Sequence, residues 1–208
     1  MGLDLPDEDL IPQQEPNADL VEECMDILTN WGIRKGEGVV MQLRASSPVR
    51  TPSHAWWKVV IDEVNRRGYK VLLTDSPRQT ESIDEFISLL ENPSMTFNFC
   101  QHSISIAHTI ALTSLAKGTI ATDTALNHIA ASLDVPCFGM YGPFPGHIRL
   151  KTYPKADYID AQKSCAPCFI HGHLPCPKAN KEGYSPCYDN INIKEAIDVF
   201  EALLERTK

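Results

Sequence analysis

From Gly38 onward the chain alternates short apolar runs with longer stretches whose apolar positions recur every three or four residues. The runs cover residues 39–43, 69–74, 96–99, 119–122 and 136–141. A run of four to six apolar residues bounded by turn formers reads as a strand buried on both faces. Between the runs, helical spacing predicts helices over 53–67 (with Gly68 behind it), 81–91, 103–115 and 124–133. Upstream, Asn17 is a good N-cap for a helix with apolar positions at Leu20, Val21, Cys24, Leu28 and Trp31, ended by Gly32. After Gly142 the order weakens into a Cys/Pro/Gly-rich stretch, and a last helix is predicted over 193–206. Strands alternating with helices of this length predict an α/β, Rossmann-like parallel sheet with helices on both faces, followed by a Cys-rich tail and a C-terminal helix. The expected organisation is an arm and helix over 1–34, a nucleotide-binding domain over 35–160, and a Cys-rich segment with a helix packing on it over 161–208.

Composition narrows the class. The 208 residues suit one sizeable domain, and 43% hydrophobic with 22% charged residues is ordinary globular composition. A net charge of −8 argues against a nucleic-acid surface, which requires a basic field, and leaves room for a small cationic pocket. No stretch reaches the roughly 20 apolar residues of a membrane span. The acidic start, residues 1–10, lacks the features of a signal peptide, and the expected location is cytoplasmic.

Chemically useful residues cluster behind the strands: Arg44-Ala-Ser-Ser47, Thr74-Asp-Ser76, Cys100-Gln-His102, Asp123-Thr124 and Tyr141-Gly-Pro143. Ligands of open α/β sheets bind in the crevice at those ends, although loops are polar in any case. With Asp123 as N-cap, the helix behind it buries Leu126, Ile129, Ala130 and Leu133, and places Thr124 and His128 on a different face. The N–H groups of Thr124, Ala125 and Leu126 then offer a phosphate seat. The competing reading is that Asp123 only caps and His128 is a structural histidine.

The segment Asp-Thr-Ala-Leu-Asn-His-Ile-Ala-Ala, followed by Leu-Asp-Val-Pro and Tyr-Gly-Pro, resembles the signature block of glycosyltransferase family 9, the ADP-heptose lipopolysaccharide heptosyltransferase family. Arg44-Ala-Ser-Ser and Arg50-Thr-Pro, with Trp56 behind, resemble its first phosphate-contacting loop. The resemblance implies the donor-binding, C-terminal half of a two-domain GT-B fold. It implies that Thr124 and Ala125 contact the pyrophosphate, with His128 at the motif's histidine, and that Asp123 binds hydroxyls of the transferred sugar. Ser46 and Ser47 are implied to reach phosphate oxygens, with Arg44 or Arg50 supplying charge to the leaving diphosphate, and backbone near residues 100–102 to meet the base. Two departures stand out. Ala125 replaces the family's usual Gly, which requires φ below zero there. The family's lysine is missing beside Arg50.

The family's reaction is inverting and metal-independent, with a catalytic base supplied by the acceptor-binding half. No catalytic residue is therefore assigned within these residues. The expected ligand is ADP-heptose or a related nucleotide sugar, and the acceptor a bacterial surface glycan reached from the periphery of the inner membrane. The acceptor half is expected elsewhere: lost by truncation, on a partner chain, or made unnecessary by a binding-only role. A sugar-nucleotide epimerase or hydrolase of GT-B type is the remaining alternative. No cofactor is expected for catalysis. Cys165-Ala-Pro-Cys168, Cys176 and Cys187 suggest a closed structural zinc site, with His171 and His173 as substitute ligands. A disulfide pair or plain apolar packing are the other readings. Cys24, Cys100 and Cys137 read as buried apolar residues.

Overall fold

The computed structural model describes residues 11–170 and 175–208. Helix α1 (Ala18–Asn30) opens on Asn17, whose side chain accepts from the Leu20 N–H at 3.1 Å. It closes with Gly32 at φ +67, where the Ile33 N–H reaches the Leu28 carbonyl at 2.8 Å. Helix α2 (His54–Arg66) is capped by Ser53 and ends the same way at Gly68, φ +89. Both ends need a left-handed residue, which glycine adopts without a Cβ clash.

The strands are β1 (Gly38–Gln42), β2 (Lys70–Leu73), β3 (Thr96–Asn98), β4 (Gly118–Ala121), β5 (Cys137–Tyr141) and β6 (Ala156–Asp160). All pair in parallel, in the order β3-β2-β1-β4-β5-β6. The order reverses between β1 and β4, which is where such sheets open a ligand crevice. Helices α3 (Thr80–Ser88), α4 (Ile106–Ser114), α5 (Ala125–Ser132), α6 (Gly146–Leu150) and α7 (Ile193–Arg206) complete the chain.

Successive strand residues face opposite layers, so β1 shows the logic in three residues. Val39 and Met41 join a core with Trp57 and Ile61 of α2, Phe86 of α3 and Phe200 of α7. Val40 faces a second core with Cys24 and Leu28 of α1, Leu112 of α4 and Leu126 of α5. The Rossmann-like fold with helices on both faces is borne out. Burying a side chain such as Phe200, 0% exposed, contributes roughly 1.5–3 kcal/mol. Arg67, held by Glu63 of α2 at 2.9 Å, ties that helix to α7 through Asp198 at 2.6 Å.

Three expectations need correction. The stretch after residue 142 is more ordered than its composition suggests: it holds α6 and β6. The helix expected over 103–115 begins only at Ile106, because Cys100–His102 forms a 3-10 turn and Ser105 is extended. The helix expected over 81–91 runs from Thr80 to Ser88 and gives way before Pro93. Among the described residues no helix is long and apolar enough to cross a membrane.

Candidate functional site

The loops behind β1, β4 and β5 meet around one carboxylate. Behind β1 the chain turns through Ser46 and Ser47 into a single 3-10 turn, Pro48–Arg50. Thr51 staples that loop, its hydroxyl donating to the Ser47 carbonyl at 3.0 Å and accepting from the Ala45 N–H at 3.1 Å. Arg50 then points inward, its side chain only 10% exposed. One guanidinium nitrogen donates to the Asp123 carbonyl at 2.7 Å and lies 3.3 Å from the Asp123 carboxylate. The other donates to the Ser46 hydroxyl at 2.7 Å. The Arg50 carbonyl accepts from the Thr122 and Tyr188 hydroxyls, both at 3.1 Å. Tyr188 is itself fixed by the Trp56 indole N–H, which donates to its carbonyl at 2.8 Å.

Asp123 has a second cation, Arg149 of α6, with its Nε 3.3 Å from the other carboxylate oxygen. Two arginines neutralise a carboxylate that is 4% exposed, which offsets its desolvation. Neither 3.3 Å contact is aligned as a hydrogen bond. Asp123 Oδ2, Arg50 Nε and Arg149 Nε are all buried without a hydrogen-bond partner among the described residues, as are Ser47 Oγ and Thr124 Oγ1. Buried polar atoms are nearly always bonded, so five such atoms on the loops that meet at Asp123 are an unusual concentration.

Asp123 does not cap α5. Thr124 occupies the N-cap position, and its own N–H is already taken by the Thr122 carbonyl at 2.8 Å. The available donors therefore begin one residue later, with the first-turn amides of Ala125, Leu126 and Asn127. The physical reason is the pair of arginines: they draw the Asp123 side chain away from the helix end. Ala125 meets its requirement, since it is not among the positive-φ residues. His128 is half-buried and bonded to the Tyr153 hydroxyl at 2.8 Å. Burial holds its imidazole below the ordinary range, helped by Arg149 and opposed by Asp123.

Two cavities open on this edge. One of about 720 Å3 is lined by Arg44, Ser46, Thr51 and His54, and so receives the exposed Arg44. The other, about 300 Å3, lies behind β2 and β3, lined by Asp75, Ser103, Ser105 and the apolar Leu126 and Ile129. Burial pushes the Asp75 carboxyl up, and its Oδ2 has no hydrogen-bond partner among the described residues. Sequence reasoning missed Asp75 and Arg149 as individual residues. Asp75 lay in a noted loop, whereas Arg149 carries no local signal at all.

Cys24, Cys100 and Cys137 are buried. Cys165 and Cys176 are half-buried, Cys168 is exposed and Cys187 is buried; all are free thiols. Burial pushes the Cys187 thiol up to about 11, with the nearby Cys176 and Cys168 adding to it. Among the described residues no three His, Cys, Asp or Glu side chains are gathered as a metal would need. His171 and His173 lie outside the described residues.

The chain matches the model of glycosyltransferase family 9 (heptosyltransferase) over residues 11–175. It is 29% identical over 117 residues to lipopolysaccharide heptosyltransferase 1 of Pseudomonas aeruginosa, a match covering 55% of this chain and 31% of that protein. The fold superposes on the ADP-heptose lipopolysaccharide heptosyltransferase II of Escherichia coli with a TM-score of 0.69 at 18% identity, covering 94% of this chain and 54% of that one. It also superposes on the dodecameric iron-containing heptosyltransferase TibC in complex with ADP-D-beta-D-heptose. There the TM-score is 0.52 at 12% identity, covering 81% of this chain and 46% of that one. The chain thus spans about half the length of these solved proteins.

Proposed function

This chain belongs to glycosyltransferase family 9, and from that premise we propose that its β1, β4 and β5 loops bind the donor of a heptosyltransferase-like enzyme. The ligand is a nucleoside diphosphate sugar, ADP-heptose or a close analogue, used for building a bacterial surface glycan such as lipopolysaccharide. The observation that carries this reading is the group of unpartnered polar atoms around the start of α5, beside two arginines. A diphosphate supplies acceptor oxygens to Ser47, Thr124 and the first-turn amides of α5, where the helix dipole favours negative charge. Asp123 Oδ2 accepts from sugar hydroxyls. Asp75 Oδ2 accepts from the ribose, with the base in the partly apolar cavity beside it.

The chemistry follows from where charge moves. As the bond between the sugar and the diphosphate breaks, negative charge grows on the departing phosphate. Arg50 and Arg44 are the cations at that place, and a preorganised cation there lowers the barrier. The base that deprotonates the acceptor hydroxyl is a different group. Asp123 is unsuited to it, because each of its carboxylate oxygens already faces an arginine at 3.3 Å. That geometry favours a base supplied by an acceptor-binding half, and the transfer proposed is inverting and metal-independent. It also keeps open a second reading, a nucleotide-sugar-binding module that works only with a partner chain. The proposed setting is cytoplasmic, at the periphery of the inner membrane.

Calorimetric titration with ADP-, UDP- and GDP-sugars and their free diphosphates tests the proposal. Selective binding of one intact sugar nucleotide is the expected result, and a folded protein that binds none of them would overturn it. Transfer to any acceptor by the purified chain would remove the module reading. Release of free sugar without an acceptor would instead point to a hydrolase.

The cysteine segment is proposed to hold a structural metal outside the reaction. Cys165, Cys168, Cys176 and Cys187 supply four sulfurs on one loop, the donor chemistry of tetrahedral zinc or iron, although the described side chains are not gathered around a point. About one equivalent of zinc or iron per chain is expected by elemental analysis, lost in a Cys165→Ser, Cys168→Ser double variant. Metal-free protein whose thermal midpoint is unmoved by that double change would rule the metal out.

A further inference from the structure

We propose that Phe144 and Phe169 form an aromatic wall that stacks against the ring of the transferred sugar and selects for it, an inference that rests on the donor-site reading above. The two rings meet edge to face, 5.4 Å between centres at 77°. The Arg149 guanidinium lies over the Phe144 ring, 4.7 Å from its centre, and its Nε is 3.3 Å from Asp123. Carboxylate, guanidinium, half-buried ring and exposed ring therefore form one continuous strip leading outward from Asp123.

Phe169 is an odd residue on conformational grounds. Its backbone sits at φ +57, where a bulky side chain is strained, and its ring is 54% exposed. The conformation is held by its N–H, which donates to the Pro143 carbonyl at 2.8 Å, directly before Phe144. That hydrogen bond keeps an exposed ring next to the end of β5 despite the strain.

A sugar ring fits what this strip offers. Its hydroxyls need charged or polar partners, which Asp123 and Arg149 supply. Its C–H face carries slight positive charge and is attracted by the negative face of an aromatic ring. Position agrees as well. From the Asp75 loop behind β2 to the Phe144 loop behind β5 there are three strand intervals, about 14 Å at the usual spacing. An extended nucleoside diphosphate sugar spans that distance with its ribose at one end, its diphosphate over β1 and β4, and its sugar at the other.

The test is calorimetry with ADP and ADP-heptose on the wild type and on Phe144→Leu, Phe169→Leu and Phe169→Trp, each checked by thermal midpoint. The leucine variants keep apolar bulk and remove the ring. Each is expected to weaken ADP-heptose about 5- to 10-fold, the worth of an aromatic contact, with ADP within about twofold of wild type. Phe169→Trp should keep ADP-heptose affinity. Unchanged ADP-heptose binding in both leucine variants would overturn the wall, as would equal losses for ADP and ADP-heptose. A wild type that binds ADP but gains nothing from the sugar also overturns the wall while sparing the nucleotide site. A wild type that binds neither takes the donor reading down with it.

Discussion

Asp123→Asn is expected to cost about 100-fold or more in affinity for the intact sugar nucleotide while leaving ADP binding unchanged or slightly tighter. The carboxylate is 4% exposed and sits between Arg50 and Arg149, with neither oxygen hydrogen-bonded among the described residues. Each hydrogen bond from a sugar hydroxyl to a charged carboxylate contributes about 1.5–3 kcal/mol, so losing two accounts for the expected factor. Asparagine keeps the shape but offers a single neutral acceptor. For a diphosphate bound nearby, removing a negative charge is favourable or neutral, hence the opposite sign for ADP. Asp123→Ala should add a stability loss of about 3 kcal/mol, because it strands the buried Arg50 guanidinium and leaves the half-buried Arg149 unpaired. Calorimetry with ADP and ADP-heptose, beside thermal unfolding, separates the two effects. Equal losses for both ligands in Asp123→Asn would mean that Asp123 serves only to position the arginines.

Arg50→Met is expected to behave differently, weakening ADP and ADP-heptose alike by about 30- to 100-fold. The guanidinium is the most enclosed cation near the start of α5, and charge-assisted bonds to phosphate are the stronger kind. Arg50→Lys should recover little. A lysine is a point charge and cannot span the Asp123 carbonyl and the Ser46 hydroxyl, both now reached at 2.7 Å. Arg44→Met is the comparison, since Arg44 is exposed beside the larger cavity. A larger loss in Arg44→Met than in Arg50→Met would assign the diphosphate to Arg44. Binding that is insensitive to both would remove the proposed electrostatic role.

The contrast between residues that the sequence revealed and those it hid has physical causes. α1 and α2 were legible almost to the residue because Asn17 and Ser53 are strong caps and Gly32 and Gly68 occupy left-handed positions. The central strands were legible because burial on both faces makes them continuously apolar. β6 is an edge strand whose five residues are all half-buried, so Ala-Asp-Tyr-Ile-Asp shows neither an apolar run nor alternation. α6 has only five residues, too few for a period, and Arg149 on it reaches Asp123 only through the tertiary fold. The Asp123-Thr124 motif was visible, yet its local geometry was misjudged. A good capping residue was diverted by two cations, one of them 26 residues away, and no local rule registers that competition.

The backbone carbonyl of Arg50 has a consequence of a kinetic kind. Held by Thr122 from behind β4 and by Tyr188 from the C-terminal segment, it is anchored at two points far apart in the chain. Such a loop has little freedom left to surrender when a ligand arrives. The entropy lost on association then falls mostly on the ligand, and encounter leads to the bound geometry without a slow rearrangement of the protein. Affinity differences among sugar nucleotides would accordingly lie in how long each one stays, not in how fast it enters.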